Sequence, residues 1–235
     1  MEKEKKKELT LISVIITTFN NEKHIQQAIE SVFAQTYKPL EVIVVDGGST
    51  DRTLDIVKSY GDRIKWDSNP NWFAAGARNR GFEMASADYF FILDGDDILY
   101  PDAIDTLYSN LPPSHHMIYG DYDIIDTTGN FVVRHISGKY DPRLLARQCF
   151  IHTGTLLLLR TTVEVVGKFD ESLHIAEDID YWCRMALAGC SVAYISKPMM
   201  KHRHHRESIS ARPRWKKDTV NVVNRYYDLF KKRFR

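Results

Sequence analysis

Between Leu11 and Leu93, short apolar runs alternate with stretches of helical periodicity. Ser13-Val14-Ile15-Ile16-Thr17, Glu41-Val42-Ile43-Val44-Val45 and Tyr89-Phe90-Phe91-Ile92-Leu93 have strand length and β-branched or aromatic composition, and Ile64-Lys65-Trp66 is a weaker strand. Ile25, Ala28, Ile29, Val32 and Phe33 recur at helical spacing, Leu54, Val57 and Lys58 follow a Ser-Thr cap, and Ala74 to Ala85 is a helix of small residues. Uninterrupted apolar strands separated by helices predict an α/β half, Rossmann-like, with a mostly parallel sheet covered by helices on both faces.

The second half is more mixed. Tyr119-Gly120-Asp121 ends a short strand, and Thr127-Thr128-Gly129-Asn130 reads as a hairpin turn into Phe131-Val132-Val133. Thr155 to Leu159 is a buried strand. Ala176 to Ala188 is an amphipathic helix with Ile179, Trp182, Ala186 and Leu187 inward and Gly189 as its stop. Lys201 to Arg214 is polar and histidine-rich, and a last helix runs from Trp215 to Arg235.

Composition adds exclusions. With 43% hydrophobic and 27% charged residues among 235, the chain is ordinary globular material. Its 32 Lys+Arg against 31 Asp+Glu leave no global field for nucleic acid, so none is expected as a partner. Cys149, Cys183 and Cys190 have no CxxC spacing, which fits a reduced, intracellular protein better than a disulfide scaffold or a zinc site. No apolar run approaches the ~18 residues of a membrane span. The mixed-charge stretch from Met1 to Glu8 does not read as a signal peptide. The expected location is cytoplasmic, soluble or peripheral at the inner face of the membrane.

The candidate chemistry lies at the strand ends. Thr17-Thr18-Phe19-Asn20, Asp46-Gly47-Gly48-Ser49 and Asp94-Gly95-Asp96-Asp97 each follow a strand, and ligands of such sheets bind at the carboxyl ends of the strands. Three carboxylates in four residues repel one another unless a cation sits between them. A helix N-terminal turn accounts for Asp102 but not for that cluster. The EF-hand spacing is absent, and hard oxygen ligands point to Mg²⁺ or Mn²⁺, which usually arrive with substrate phosphates.

Val14 to Asn20, Val44 to Asp51, Ala77-Arg78-Asn79-Arg80-Gly81, Leu93 to Asp97 and Glu177-Asp178 come in an order that resembles the motifs of family 2 glycosyltransferases, which have the GT-A fold. The resemblance covers roughly Leu11 to Ser210. It implies a metal-dependent, inverting transfer of a sugar from a nucleotide-diphosphate donor. With the charge pattern at either end, the expected division is a charged tail (1–10), a GT-A domain (11–212) and a basic amphipathic helix (213–235).

Carried over by residue, the resemblance places Thr17, Phe19, Asn20, Asp46, Arg78, Asp94 and Asp96 at the donor. Phe19 would stack on the base, Arg78 would meet the diphosphate or the base, and one of Asp94 and Asp96 would hold the ribose. Gly47 departs from the family's usual Asp-Asp-Gly-Ser by replacing the acid that reads uracil in related enzymes; a UDP-sugar stays the favoured donor. Asp96, Asp97 and His205 are implied as metal ligands, His205 standing three residues before Ser208. Asp178 is implied as the catalytic base. His152, Glu177 and Trp182 are assigned to the acceptor, a saccharide or lipid-linked saccharide of cell-surface polysaccharide synthesis.

The last helix carries an apolar stripe of Trp215, Val222, Val223, Tyr226, Phe230 and Phe234 beside many Lys and Arg residues. It fits an anionic membrane interface, packing on its own domain, or a homodimer contact. Two rival functions stay open. A nucleotidyltransferase would normally place a Gly-rich, basic loop where Thr-Thr-Phe-Asn-Asn stands, and a non-catalytic nucleotide-sugar binding module would not need Asp178.

Overall fold

The computed structural model describes residues 10–145, 150–204 and 214–234. Its first half is the anticipated alternation: β1 (Ile12–Thr18), α1 (Ile25–Phe33), β2 (Leu40–Asp46), α2 (Thr53–Lys58), β3 (Lys65–Ser68), α3 (Ala74–Met84) and β4 (Tyr89–Asp94). β5 (Ile98–Leu99), α4 (Ala103–Asn110), β6 (Met117–Ile125), β7 (Phe131–His135), α5 (Pro142–Leu145), β8 (Leu156–Leu159), α6 (Arg160–Val166), α7 (Glu177–Ala188), β9 (Val192–Arg203) and α8 (Arg214–Arg233) follow.

One nine-stranded sheet runs β3-β2-β1-β4-β8-β6-β9-β5, with β7 hairpinned onto β6. β3, β2, β1 and β4 are mutually parallel, and β8 lies antiparallel between β4 and β6. Alternation along β1 explains why both faces are covered. Ile12, Val14 and Ile16 pack with Ile25 and Ile29 of α1 and with Leu107 of α4 on one side. Ile15 packs with Phe82 of α3, Ile179 of α7 and Phe230 of α8 on the other.

β9 begins in a stretch the periodicity does not mark, and it absorbs Lys201, His202 and Arg203 from the polar segment. Pro198 explains the weak signal. It sits where the β6–β9 register shifts, because a proline cannot donate to the ladder. The strand expected from Thr155 starts one residue later, after a 3₁₀ turn over Thr153–Thr155.

The apolar stripe of α8 faces its own domain. Val222 and Phe230 are core residues, and Val223, Tyr226 and Phe234 pack against the same core. The Tyr226 hydroxyl donates to Asp180 of α7. Of the three readings of this helix, packing on its own domain is the one the structure displays for these residues; the side chain of Trp215 lies outside the described residues.

Candidate active site

The ends of β1, β2 and β4 converge, as parallel pairing requires: Thr17 lies opposite Asp94 on one side of β1, and Thr18 opposite Asp46 on the other. Gly95 turns the acid loop over β1. Its N–H donates to the Thr17 carbonyl at 2.8 Å, and a Cβ there would fall 2.7 Å from Thr18 Oγ1, so only glycine lets the loop lie this close.

Asp46 is fully buried and organises its own turn. It accepts from the backbone N–H groups of Gly48 and Ser49, both at 2.9 Å, and from the hydroxyls of Ser49 and Ser68. Asn20 adopts a left-handed φ of 51° and ties β1 to that turn: its N–H donates to Ser49 Oγ, and its Oδ1 accepts from Thr50 N–H, both at 2.8 Å. These contacts leave Phe19 on the rim, 58% exposed and next to Gly47.

Arg78 stands at the centre. It is buried in α3, with Nη1 donating to Glu177 Oε1 at 2.5 Å and Nη2 to Asp94 Oδ1 at 3.2 Å. Thr17 Oγ1 also donates to Asp94 Oδ1, at 3.1 Å. Burial alone would raise the Asp94 carboxyl, but the charge of Arg78 with the hydrogen bonds from Thr17 and Arg78 holds it below its ordinary value.

Asp178 behaves oppositely. Burial, then the neighbouring charge of Glu177, pushes its carboxyl up to about 7, against the pull of Arg78. Its Oδ1 accepts from Ile179 N–H at 2.8 Å, at the first turn of α7. The helix is entered through Ala176 at φ 64°, a left-handed conformation that costs a non-glycine residue ~1–2 kcal/mol. Backbone strain of this kind concentrates at functional sites. Trp182 is 1% exposed and faces the core behind α7, its indole N–H without a hydrogen-bond partner in the structure. It is not brought together with Glu177 and Asp178 at the cleft, because Ile179 and Trp182 share the inward face of the helix.

A third group lies beside the acid loop. Asp97, His152 and His202 each offer a ligand atom, all within 4.8 Å of one another. His202 Nδ1 lies 3.2 Å from both Asp97 oxygens, and Asp97 Oδ1 accepts from Arg203 N–H at 2.9 Å. His152 accepts from Gly154 N–H through Nδ1 at 3.1 Å, which keeps that nitrogen unprotonated and leaves Nε2 as the outward one. Burial and the neighbouring charge of His202 lower the His152 ring to about 3. Burial opposes protonation of His202 too, but the Asp97 carboxylate overrides it and lifts the ring to about 9. Asp96 is half-buried, and its carbonyl accepts from Arg203 Nε at 3.1 Å. The donor set, one carboxylate with two imidazoles, fits a divalent transition-metal ion. His205 lies outside the described residues. His202 is the residue that sequence reasoning passed over. Its signal was the histidine-rich run itself, whose position opposite Ile124 on β6 follows from β9 pairing.

Residues 13–164 match the family model described as glycosyl transferase family 2. The chain belongs to that family. An uncharacterized glycosyltransferase of Rickettsia typhi is 33% identical over 205 residues, 83% of this chain and 64% of the relative. A Campylobacter jejuni GalNAc(5)-diNAcBac-PP-undecaprenol beta-1,3-glucosyltransferase is 30% identical over 167 residues, 69% of this chain and 52% of the relative. The family 2 chain thus spans about half to two thirds of these relatives. Among solved structures, S. aureus TarS 1–349 in complex with UDP-GlcNAc superposes with a TM-score of 0.73 at 20% identity, covering 93% of this chain and 66% of that one. The Pyrobaculum calidifontis mannosyltransferase PcManGT, with GDP-Man and Mn²⁺, gives 0.69 at 16%, covering 96% and 69%. At these identities the two establish the GT-A fold of the family 2 chain.

Proposed function

We propose that residues 11–212 transfer a sugar, with inversion, from a nucleotide-diphosphate donor to a saccharide or lipid-linked saccharide, a UDP-sugar being the favoured donor. The observation that carries this reading is the opposed shift of two carboxyls around Arg78. Asp94 is held ionised at the donor end of β4, while Asp178 is poised near neutrality at the mouth of α7. Two carboxyl groups whose pKa values are pushed apart are the usual signature of divided roles.

In this mechanism Asp178 takes the proton of the acceptor hydroxyl as its oxygen attacks the anomeric carbon. A carboxyl near 7 is matched to that task at neutral pH. Arg78 and Thr17 keep Asp94 charged and fixed for the donor, and Phe19 offers its exposed ring to the base. Asp97, His152 and His202 would hold the metal, with Asp96 and His205 as further candidates; imidazole donors favour Mn²⁺ over Mg²⁺. When bound, such an ion neutralises charge that develops on the departing diphosphate.

The UDP-GlcNAc and GDP-Man complexes of the two structural neighbours support a nucleotide-sugar donor, and the undecaprenol-linked substrate of the Campylobacter relative supports a lipid-linked acceptor. Among the described residues no helix is long and apolar enough to cross a membrane.

A thermal-shift screen with UDP, GDP and their sugars tests the donor, because a ligand that binds the folded state raises Tm by mass action. UDP with Mn²⁺ is expected to raise Tm more than UDP with EDTA, and Asp96→Ala and His152→Ala are expected to erase the difference. No shift with any nucleotide would overturn the reading.

A further inference from the structure

The hairpin of β6 and β7 projects a strip that no other element among the described residues covers. Phe131, Val132, Val133 and Ile136 are between 50% and 68% exposed, although each is large and apolar. Soluble proteins rarely leave such side chains contiguous and uncovered. The turn beneath the strip is internally satisfied. Asp126 accepts from the N–H groups of Thr128 and Asn130, both at 2.9 Å, and Gly129 N–H donates back to its carbonyl at 3.1 Å. The strip is therefore presented on a rigid support, and ordering it on contact costs little.

Two features argue against another strand as its partner. The register steps from Phe131 opposite Ile125 to Val133 opposite Ile124, so Val132 is an extra residue that bulges the strand. Arg134, paired with Asp123 at 2.7 Å, places a charge in the same strand. Bulges and charges are the devices that keep an edge strand from pairing. An occupant that asks for no main-chain hydrogen bonds fits this surface better.

The chain beyond the strip supplies the second requirement. Gly138, whose carbonyl accepts from Tyr119 Oη at 2.7 Å, leads within three residues of Ile136 into a cleft of about 830 Å³. Lys139, Arg143 and Leu144 line it together with Arg233, the last residue of α8, and Phe234 just beyond it. Three cations there face one carboxylate, Asp141, which pairs with Arg143 at 2.7 Å. An apolar wedge followed at once by surplus positive charge is complementary to acyl chains beneath anionic headgroups.

We propose that this hairpin and the cationic cleft behind it dock the protein on the surface of an anionic phospholipid bilayer. The hairpin is also tied to the candidate active site. Tyr122 of β6 stacks on His135 at 4.5 Å between ring centroids and lies 5.0 Å from the His152 ring, so the hairpin packs directly against the metal group. The proposal does not depend on the donor reading, because vesicle binding is measured without nucleotide or transfer.

The test is co-sedimentation of the full chain with phosphatidylcholine vesicles with and without phosphatidylglycerol. Binding is expected with phosphatidylglycerol and to weaken in salt. Phe131→Ser combined with Ile136→Ser should lower it by at least about tenfold at unchanged Tm. Lys139→Glu with Arg143→Glu should lower it comparably and only on the anionic vesicles. Indifference of the wild type to both vesicles overturns the proposal, as does full binding by the serine variant or by the charge-reversed one. Loss of binding by Val220→Ser with Leu229→Ser alone would move the anchor to α8. A wild-type dimer that the serine pair dissociates would assign the strip to a second copy.

Discussion

The guanidinium of Arg78 meets the carboxylate of Glu177 at 2.5 Å, with both side chains nearly excluded from solvent and the two residues 99 positions apart in the sequence. Removing one partner of such a pair leaves a buried charge without compensation, at a cost of ~3–5 kcal/mol. Arg78→Met should therefore destabilise the protein by about that much in urea unfolding near neutral pH. Glu177→Met added to it should restore part of the loss. The gap should narrow in acid. Asp94 is held below its ordinary value in the wild type, so its contribution is complete above its unfolded pKa and lost as pH falls through the folded one. An Arg78→Met gap that stays constant down to acid pH would remove Asp94 from this account.

Asp178 gives the pH dependence of transfer. Its carboxyl titrates at about 7, and a base acts only when ionised, so the rate should climb with pH through that value and level off above it. Asp178→Asn should lower transfer by a factor on the order of 10²–10⁴ and leave donor binding intact. Stability moves the other way. With the folded pKa above the unfolded one, the native state holds the extra proton between the two values, and stability falls as pH rises toward 7. Asp178→Asn should flatten that slope, which Tm measured across pH checks.

Gly81 lies in the middle of α3, where alanine would ordinarily stabilise a helix by ~1 kcal/mol. A methyl group at that position would fall inside the Ile15 side chain of β1. Ile15 is enclosed in the sheet core and has nowhere to move, so overpacking at ~1–3 kcal/mol outweighs the propensity gain. Gly81→Ala should lower the urea midpoint. Gly81→Ala with Ile15→Val should recover part of it.

Phe230 tests where α8 belongs. It is buried in the core shared with α7 and tilts against Phe234 at 5.2 Å between centroids. Phe230→Ala should cost ~3–5 kcal/mol, the range for deleting a buried aromatic side chain. A change below about 0.5 kcal/mol, the scale of ordinary surface substitutions, would mean that the helix spends its time away from the domain.

The sequence by itself determined the parallel half and the ends of its strands. β1, β2 and β4 are runs such as Val-Ile-Ile and Phe-Phe-Ile-Leu, whose composition speaks within a few residues, and parallel pairing then obliges Thr17, Asp46 and Asp94 to meet. Charge crowding also marked the acid loop as chemistry, and Arg78 and Glu177-Asp178 were marked by their resemblance to family motifs, since a solvated arginine or acids at a helix start need no function by themselves. Only the tertiary structure decided their partnerships. Arg78 could have pointed to solvent; closure of α7 onto α3 buries it and makes Glu177 and Asp94 its counter-ions. His152 was assigned to the acceptor and His202 lies in a strand whose Pro198 obscures it, yet the placing of β6 between β8 and β9 brings both to Asp97. The stripe on α8 and the strip along β7 are both apolar in sequence, and among the described residues docking covers the first and leaves the second exposed. Periodicity reports which faces want burial, whereas the order of strands in the sheet, set by contacts between distant segments, decides which of them find it.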